Sequence, residues 1–131
     1  MGRRSTIAGF TLVELLVTVA IVAILSAIAL PSYKQFVYRG NRADATTALL
    51  NLQMAQEKWR ANHTTYATLA NLGLNGTSER GKYTIAIATN TATGYTATAT
   101  ALGAQGNDAG CTTLTLTVSG TGETRTPTAC W

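Results

Sequence analysis

Glu14 is the only charged residue between Phe10 and Leu30, in a run otherwise built from Leu, Val, Ile, Ala, Thr, Ser and Phe. A carboxylate in hydrocarbon costs several kcal/mol unless it is paired or protonated. Its place inside an apolar run therefore marks it as a functional group. Other groups able to do chemistry are sparse. His63 is the single histidine, it sits among polar residues, and it reads as a surface side chain. The six acids are scattered, and there is no nucleophile–base pair, no paired-cysteine metal spacing and no phosphate loop. The expectation is a chain that is not an enzyme and that carries no metal or cofactor. Cys111 and Cys130 are the only cysteines. In an exported protein such a pair reads as a disulfide that restricts the unfolded chain by roughly 3 kcal/mol. In the cytosol the same pair would be two buried thiols.

The N-terminus decides between these. A helix of about 20 apolar residues crosses a bilayer, and residues 10–30 meet that length. Arg3 and Arg4 precede the run and would hold the N-terminus on the cytoplasmic side. The body from Pro31 onward then lies outside the cytoplasm, where a disulfide persists. An ordinary secretory signal is the competing reading, with Ala27-Ile28-Ala29 as its cleavage site and Leu30 as the mature start. The length of the run and Glu14 within it weigh against that reading. Without Arg3 and Arg4, eight bases face six acids, a balance that argues little for nucleic acid.

Beyond Pro31 the pattern becomes amphipathic. Ala45, Ala48, Leu49, Leu52, Ala55 and Trp59 recur at three- and four-residue spacing, with charged and amide residues on other faces. One helix from Phe10 to about Asn62 would measure roughly 80 Å, with Pro31 and Gly40-Asn41 as its weak points. From Lys82 the period becomes two. Tyr83, Ile85 and Ile87, then Tyr95, Ala97, Ala99 and Ala101, then Leu114, Leu116 and Val118, alternate mainly with threonines. Such alternation predicts an antiparallel sheet with one solvated face. Asn90 to Gly94 and Gly120-Thr121-Gly122 supply turns. The expected fold is α+β: a long N-terminal helix packed, through Leu49, Leu52 and Trp59, on a small antiparallel sheet of three to four strands. The connection at 63–81 is expected to be partly packed through Tyr66, Leu69, Leu72 and Leu74.

The stretch Gly9-Phe10-Thr11-Leu12-Val13-Glu14-Leu15 resembles the processing site of type IV pilins and pseudopilins. The resemblance implies that a membrane prepilin peptidase cuts between Gly9 and Phe10 and methylates the new Phe10 amine. It also implies that Glu14 helps subunits enter a filament, and that Pro31 is the family's helix-perturbing proline. A narrower resemblance to PilE-like type IVa pilins and minor pilins rests on Gly110-Cys111-Thr112-Thr113-Leu114-Thr115-Leu116, on Cys130-Trp131, and on Arg42-Ala43-Asp44-Ala45 through Ala55-Gln56-Glu57 and Tyr66. It implies that a Cys111–Cys130 disulfide pins a C-terminal loop to the sheet. Many major pilins carry a second helix proline where this chain has Asn51, which slightly disfavours a direct match to that type.

The organisation expected from this is a leader at 1–9, a membrane and assembly helix at 10–30, an amphipathic half at 31–62, and connection, sheet and disulfide-bounded region at 63–131. The function implied is that of a major or minor subunit of a type IV pilus, serving twitching motility, adhesion or DNA uptake. The subunit would reside as a single-pass protein in the bacterial inner membrane before assembly and in the extracellular pilus afterward. Its partners would be other pilin subunits, the prepilin peptidase and the assembly platform. A type II secretion pseudopilin and a DNA-binding competence pilin are the alternatives. Lys34, Arg39 and Arg42 form a basic stretch beyond the membrane, read as a solvated or intersubunit charge pattern, with lipid headgroups or DNA as other contacts.

Overall fold

The computed structural model describes residues 9–131, so Arg3, Arg4 and most of the expected leader lie outside the described residues. The chain divides into an N-terminal unit ending at Lys34 and a second unit, Gln35–Trp131. The helix α1, Leu12–Arg60, runs through Pro31, Gly40 and Asn41 without interruption. Up to Leu30 its large apolar side chains are exposed. This part is long and apolar enough to cross a membrane.

In the second unit, Ala45, Leu49 and Leu52 are fully buried against the sheet. Each leucine contributes on the order of 1.5–3 kcal/mol by leaving water. The sheet comprises β1 (Tyr83–Asn90), β2 (Tyr95–Ala101), β3 (Thr113–Ser119) and β4 (Gly122–Thr126), antiparallel in that order. The alternation sets the register. Ile85, Ala99 and Leu114 form one inward row, and Ile87, Ala97 and Leu116 the next. The alanines of the central strand β2 lie between larger neighbours, so the helix-facing surface is filled by side chains from both flanks. The register slips between Ile87 and Thr89 at a bulge.

Trp59 is not part of this core. The helix stripe ends instead at Gln56, which is fully buried. Its amide donates to the Ala67 carbonyl at 2.8 Å and accepts from the Ala67 N–H at 2.9 Å. The reason is that the connection passes beneath the last turns of α1 and brings unpaired backbone there, which an amide satisfies and an apolar residue would not. Trp59 is half-buried and stacks on the exposed His63, ring centroids 3.7 Å apart and planes 7° apart.

Tyr66, Leu69, Leu72 and Leu74 are partly buried against the core, as their spacing suggests. The connection also lines the outer edge of β1: Ile85 N–H donates to the Gly76 carbonyl, Ser78 N–H to that of Tyr83, and Thr77 bridges Thr84. At the other edge, Glu123 and Arg125 of β4 stand opposite the inward-facing Val118 and Leu116. Glu123 accepts from the Gln53 side chain of α1 at 2.7 Å and pairs with Arg125.

Candidate assembly site

The start of α1 is a capping box. Thr11 Oγ1 accepts from the Glu14 N–H at 3.2 Å, and Glu14 Oε2 accepts from the Thr11 N–H at 3.1 Å and from the Thr11 hydroxyl at 2.9 Å. Thr-x-x-Glu satisfies two otherwise orphaned N–H groups of the first turn. The Thr-x-x-Glu spacing is present in the sequence, where the apolar setting points first to the charge of Glu14. Both bonds to the Glu14 carboxylate fall on Oε2, which leaves Oε1 without a hydrogen-bond partner among the described residues. The carboxylate can therefore cap its own helix and still accept from a cation. Phe10 is 84% exposed, and a Cβ at Gly9 would meet nothing within 4 Å among the described residues. Gly9, Phe10 and Glu14 are thus gathered at one helix end. Pro31 lies within the same helix, and Ser32 Oγ donates to the Ile28 carbonyl one turn back.

In the second unit, Cys111 and Cys130 form a disulfide with Cα atoms 5.6 Å apart. It joins the approach to β3 to the segment after β4, and both sulfur residues are buried. The ring of Trp131 lies under the Arg125 guanidinium, and its indole N–H donates to the Thr126 carbonyl.

A polar cluster that the sequence pattern did not reveal ties α1 to the loop 103–108. Arg42 makes a two-point pair with the buried Asp108, at 2.7 and 2.8 Å. Gln105, also buried, donates to Asp108, to the Tyr83 hydroxyl and to the Tyr38 carbonyl, and accepts from Asn41. Asp108 holds the Arg42 guanidinium above its ordinary range. Burial raises Tyr83, an effect the Gln105 bond opposes, and burial also raises Tyr95. The side-chain bonds from Gln53 and Arg125 hold the Glu123 carboxyl below its usual value. A second buried acid, Asp44, accepts from Ser78 Oγ at 2.6 Å and from the Arg80 N–H at 3.1 Å, fastening the connection to the helix.

An apolar N-terminal helix that opens on a capped acid, followed by an antiparallel sheet with a disulfide-closed end, is the arrangement expected of a type IV pilin. Residues 4–30 match the family described as "Prokaryotic N-terminal methylation motif", and residues 31–115 match "Type IV minor pilin ComP, DNA uptake sequence receptor". The second match covers more than half of the chain, which belongs to that type IV pilin family. Among curated relatives, the type IV major pilin protein PilA of Myxococcus xanthus is 41% identical over 63 residues, 48% of this chain and 29% of the relative. A fimbrial protein of Moraxella nonliquefaciens is 36% identical over 81 residues, 59% of this chain and 53% of the relative. The type IV major fimbrial protein FimA of Dichelobacter nodosus is 34% identical over 80 residues, 60% of this chain and 49% of the relative. The chain thus spans about half, or less, of the length of these relatives.

Proposed function

We propose that this chain is a structural subunit of a type IV pilus. The carrying observation is that one chain joins an N-terminal methylation motif to a pilin family match. In this reading the leader 1–9 is removed by cleavage between Gly9 and Phe10, and the new Phe10 amine is methylated. Residues 10–30 hold the subunit in the inner membrane as a single span until assembly motors, acting through platform proteins, draw it into a filament. Residues 31–62 and 63–131 form the body outside the membrane. Glu14 keeps its helix capped through Oε2 and receives a neighbouring subunit's Phe10 ammonium at Oε1, a pairing that fixes the register of helix against helix. An uncompensated charge at this depth is costly, so the pair favours one axial offset over others. Pro31 removes one helix hydrogen bond and so lowers the resistance of the helix to rearrangement during assembly.

Intact-mass spectrometry on filaments sheared from the producing cells tests the reading. The expected species starts at methylated Phe10 and is two hydrogens lighter than its reduced form. A species starting at Leu30 in the medium, with none in filaments, overturns it.

A second reading, within the first, is a DNA-binding competence subunit. It is favoured by the family description and by the exposed Lys58, Arg80 and Lys82 on the second unit. Retention of the chain on double-stranded DNA should then fall steeply with salt, since each phosphate contact releases counterions. No retention at physiological salt removes this reading and leaves the structural one.

A further inference from the structure

Beside α1, on the flank away from the disulfide, a groove with both polar and apolar lining, the latter including Leu52, Leu74 and Ile85, separates the helix from the connection. It is lined by Asp44, Thr47 and Asn51 of the helix and by Asn75, Ser78 and Glu79 of the connection, with a volume of about 300 Å³. It continues past Ala43 to the rim at Arg80. The Asp44 carboxylate is already occupied by the Ser78 hydroxyl and by backbone N–H groups. Glu79 is exposed and has no hydrogen bond or ion pair among the described residues. With Asp44 and Glu79 against Arg80, the groove carries one net negative charge and one carboxylate free to bind.

The other flank of α1 carries the complement. Arg39 and Arg42 stand there with Thr46, beside Cys130 and Trp131. Arg42 is committed to Asp108, whereas Arg39 is exposed and makes no side-chain bond among the described residues. A head-to-tail polymer brings two different faces of one chain together, and these flanks are oppositely charged.

Register supports the match. In a helical filament every atom of one copy is displaced from its equivalent in the next by the same axial rise. Pairing one copy's Phe10 amine with the next copy's Glu14 sets that rise at less than four residues, below roughly 6 Å of helix, because the Glu14 carboxylate leans back toward Thr11. The same rise lifts Arg39 of the first copy toward the level of Ala43 in the second, at the near end of the groove, within reach of a long arginine side chain.

We propose that Arg39 of one copy enters the groove between α1 and the connection of a second copy and pairs with its Glu79. The interface rests on the filament reading above and names a contact that reading leaves open.

The test is a charge exchange in the full-length chain, scored as the amount in sheared filaments relative to the membrane pool. Phe10 processing and disulfide formation are measured for every variant as controls on folding. Arg39→Glu and Glu79→Arg should each lower incorporation about fivefold, and the double exchange should restore it to about wild type. A photo-reactive residue at the position of Asn75, on the groove, should give an adduct joining two copies of this chain through the peptide that contains Arg39. Single variants that incorporate normally, a double variant that does not recover, or an adduct formed solely with a different pilin each overturn the interface while leaving the filament reading in place. Absence of the wild-type chain from filaments overturns both.

Discussion

Substitution of Glu14 can separate its two uses, because they fall on different oxygens. Glu14→Ala deletes both: the Thr11 N–H loses its acceptor, at a cost of about 1 kcal/mol in helix-end stability, and the site for a neighbour's ammonium disappears. Glu14→Gln retains one carbonyl oxygen, which is all a capping box needs. It removes the charge and the second acceptor. If the intersubunit pair is real, the glutamine variant leaves a Phe10 ammonium uncompensated in an apolar setting, a cost of about 3–5 kcal/mol for a buried pair broken on one side. Incorporation should then fall about a hundredfold or more, since each 1.36 kcal/mol is tenfold. The assay is the ratio of sheared-filament protein to membrane protein for wild type, Glu14→Gln and Glu14→Ala, with intact masses confirming that all three begin at methylated Phe10. Near-equal loss in both variants fits the pairing. Normal incorporation of Glu14→Gln, with loss only in Glu14→Ala, would refute it and reduce Glu14 to a helix cap.

Arg42→Ala strands the buried Asp108 without its cation and should lower unfolding free energy by about 3 kcal/mol, read by denaturant titration in detergent. Gly94→Ala places a Cβ against the Val118 carbonyl oxygen and 3.1 Å from Ser119 Cα; a loss of about 1–3 kcal/mol is expected, and an unchanged midpoint would contradict the packing of the β1–β2 turn on β3. Glu123 has a depressed carboxyl, so its contribution is present above its ordinary value of 4.5 and is lost as pH falls through the lower folded value. Comparing melting of wild type and Glu123→Gln should show a small gap at neutral pH, below about 1 kcal/mol for so exposed a pair, that closes in acid.

Much of this architecture is written in periodicity. Threonine alternating with Leu or Ala locates β2 and β3, and Tyr83, Ile85 and Ile87 alternating with Thr84, Ala86 and Ala88 locate β1, because one face of each strand is buried and the other is wet. The weakness of that rule shows at β4, whose residues are all exposed, so no alternation marks it. The helix pattern locates Leu49 and Leu52 but overshoots to Trp59, since nothing local says that the connection will turn under the helix and need the Gln56 amide. Arg42 with Asp108, and Asp44 with Ser78, are pairs separated by 66 and 34 residues, and no window of sequence contains both members. At the N-terminus the reverse holds, since Thr11 and Glu14 are three residues apart and their capping geometry follows from spacing alone.

The two margins of the sheet constrain how this chain can polymerise. An unprotected strand invites another chain to add to it, and many copies stored side by side in a membrane would make that addition easy. Here the connection closes β1, while β4 is short and turns charged side chains toward the helix and offers the Thr126 carbonyl to the indole of Trp131. Growth by strand addition, the route to amyloid or to swapped sheets, is thereby discouraged at both sides. On the proposed pilus reading, a subunit pool could then be held at high local concentration in a non-aggregating form, with ordered growth left to contacts made along the helix.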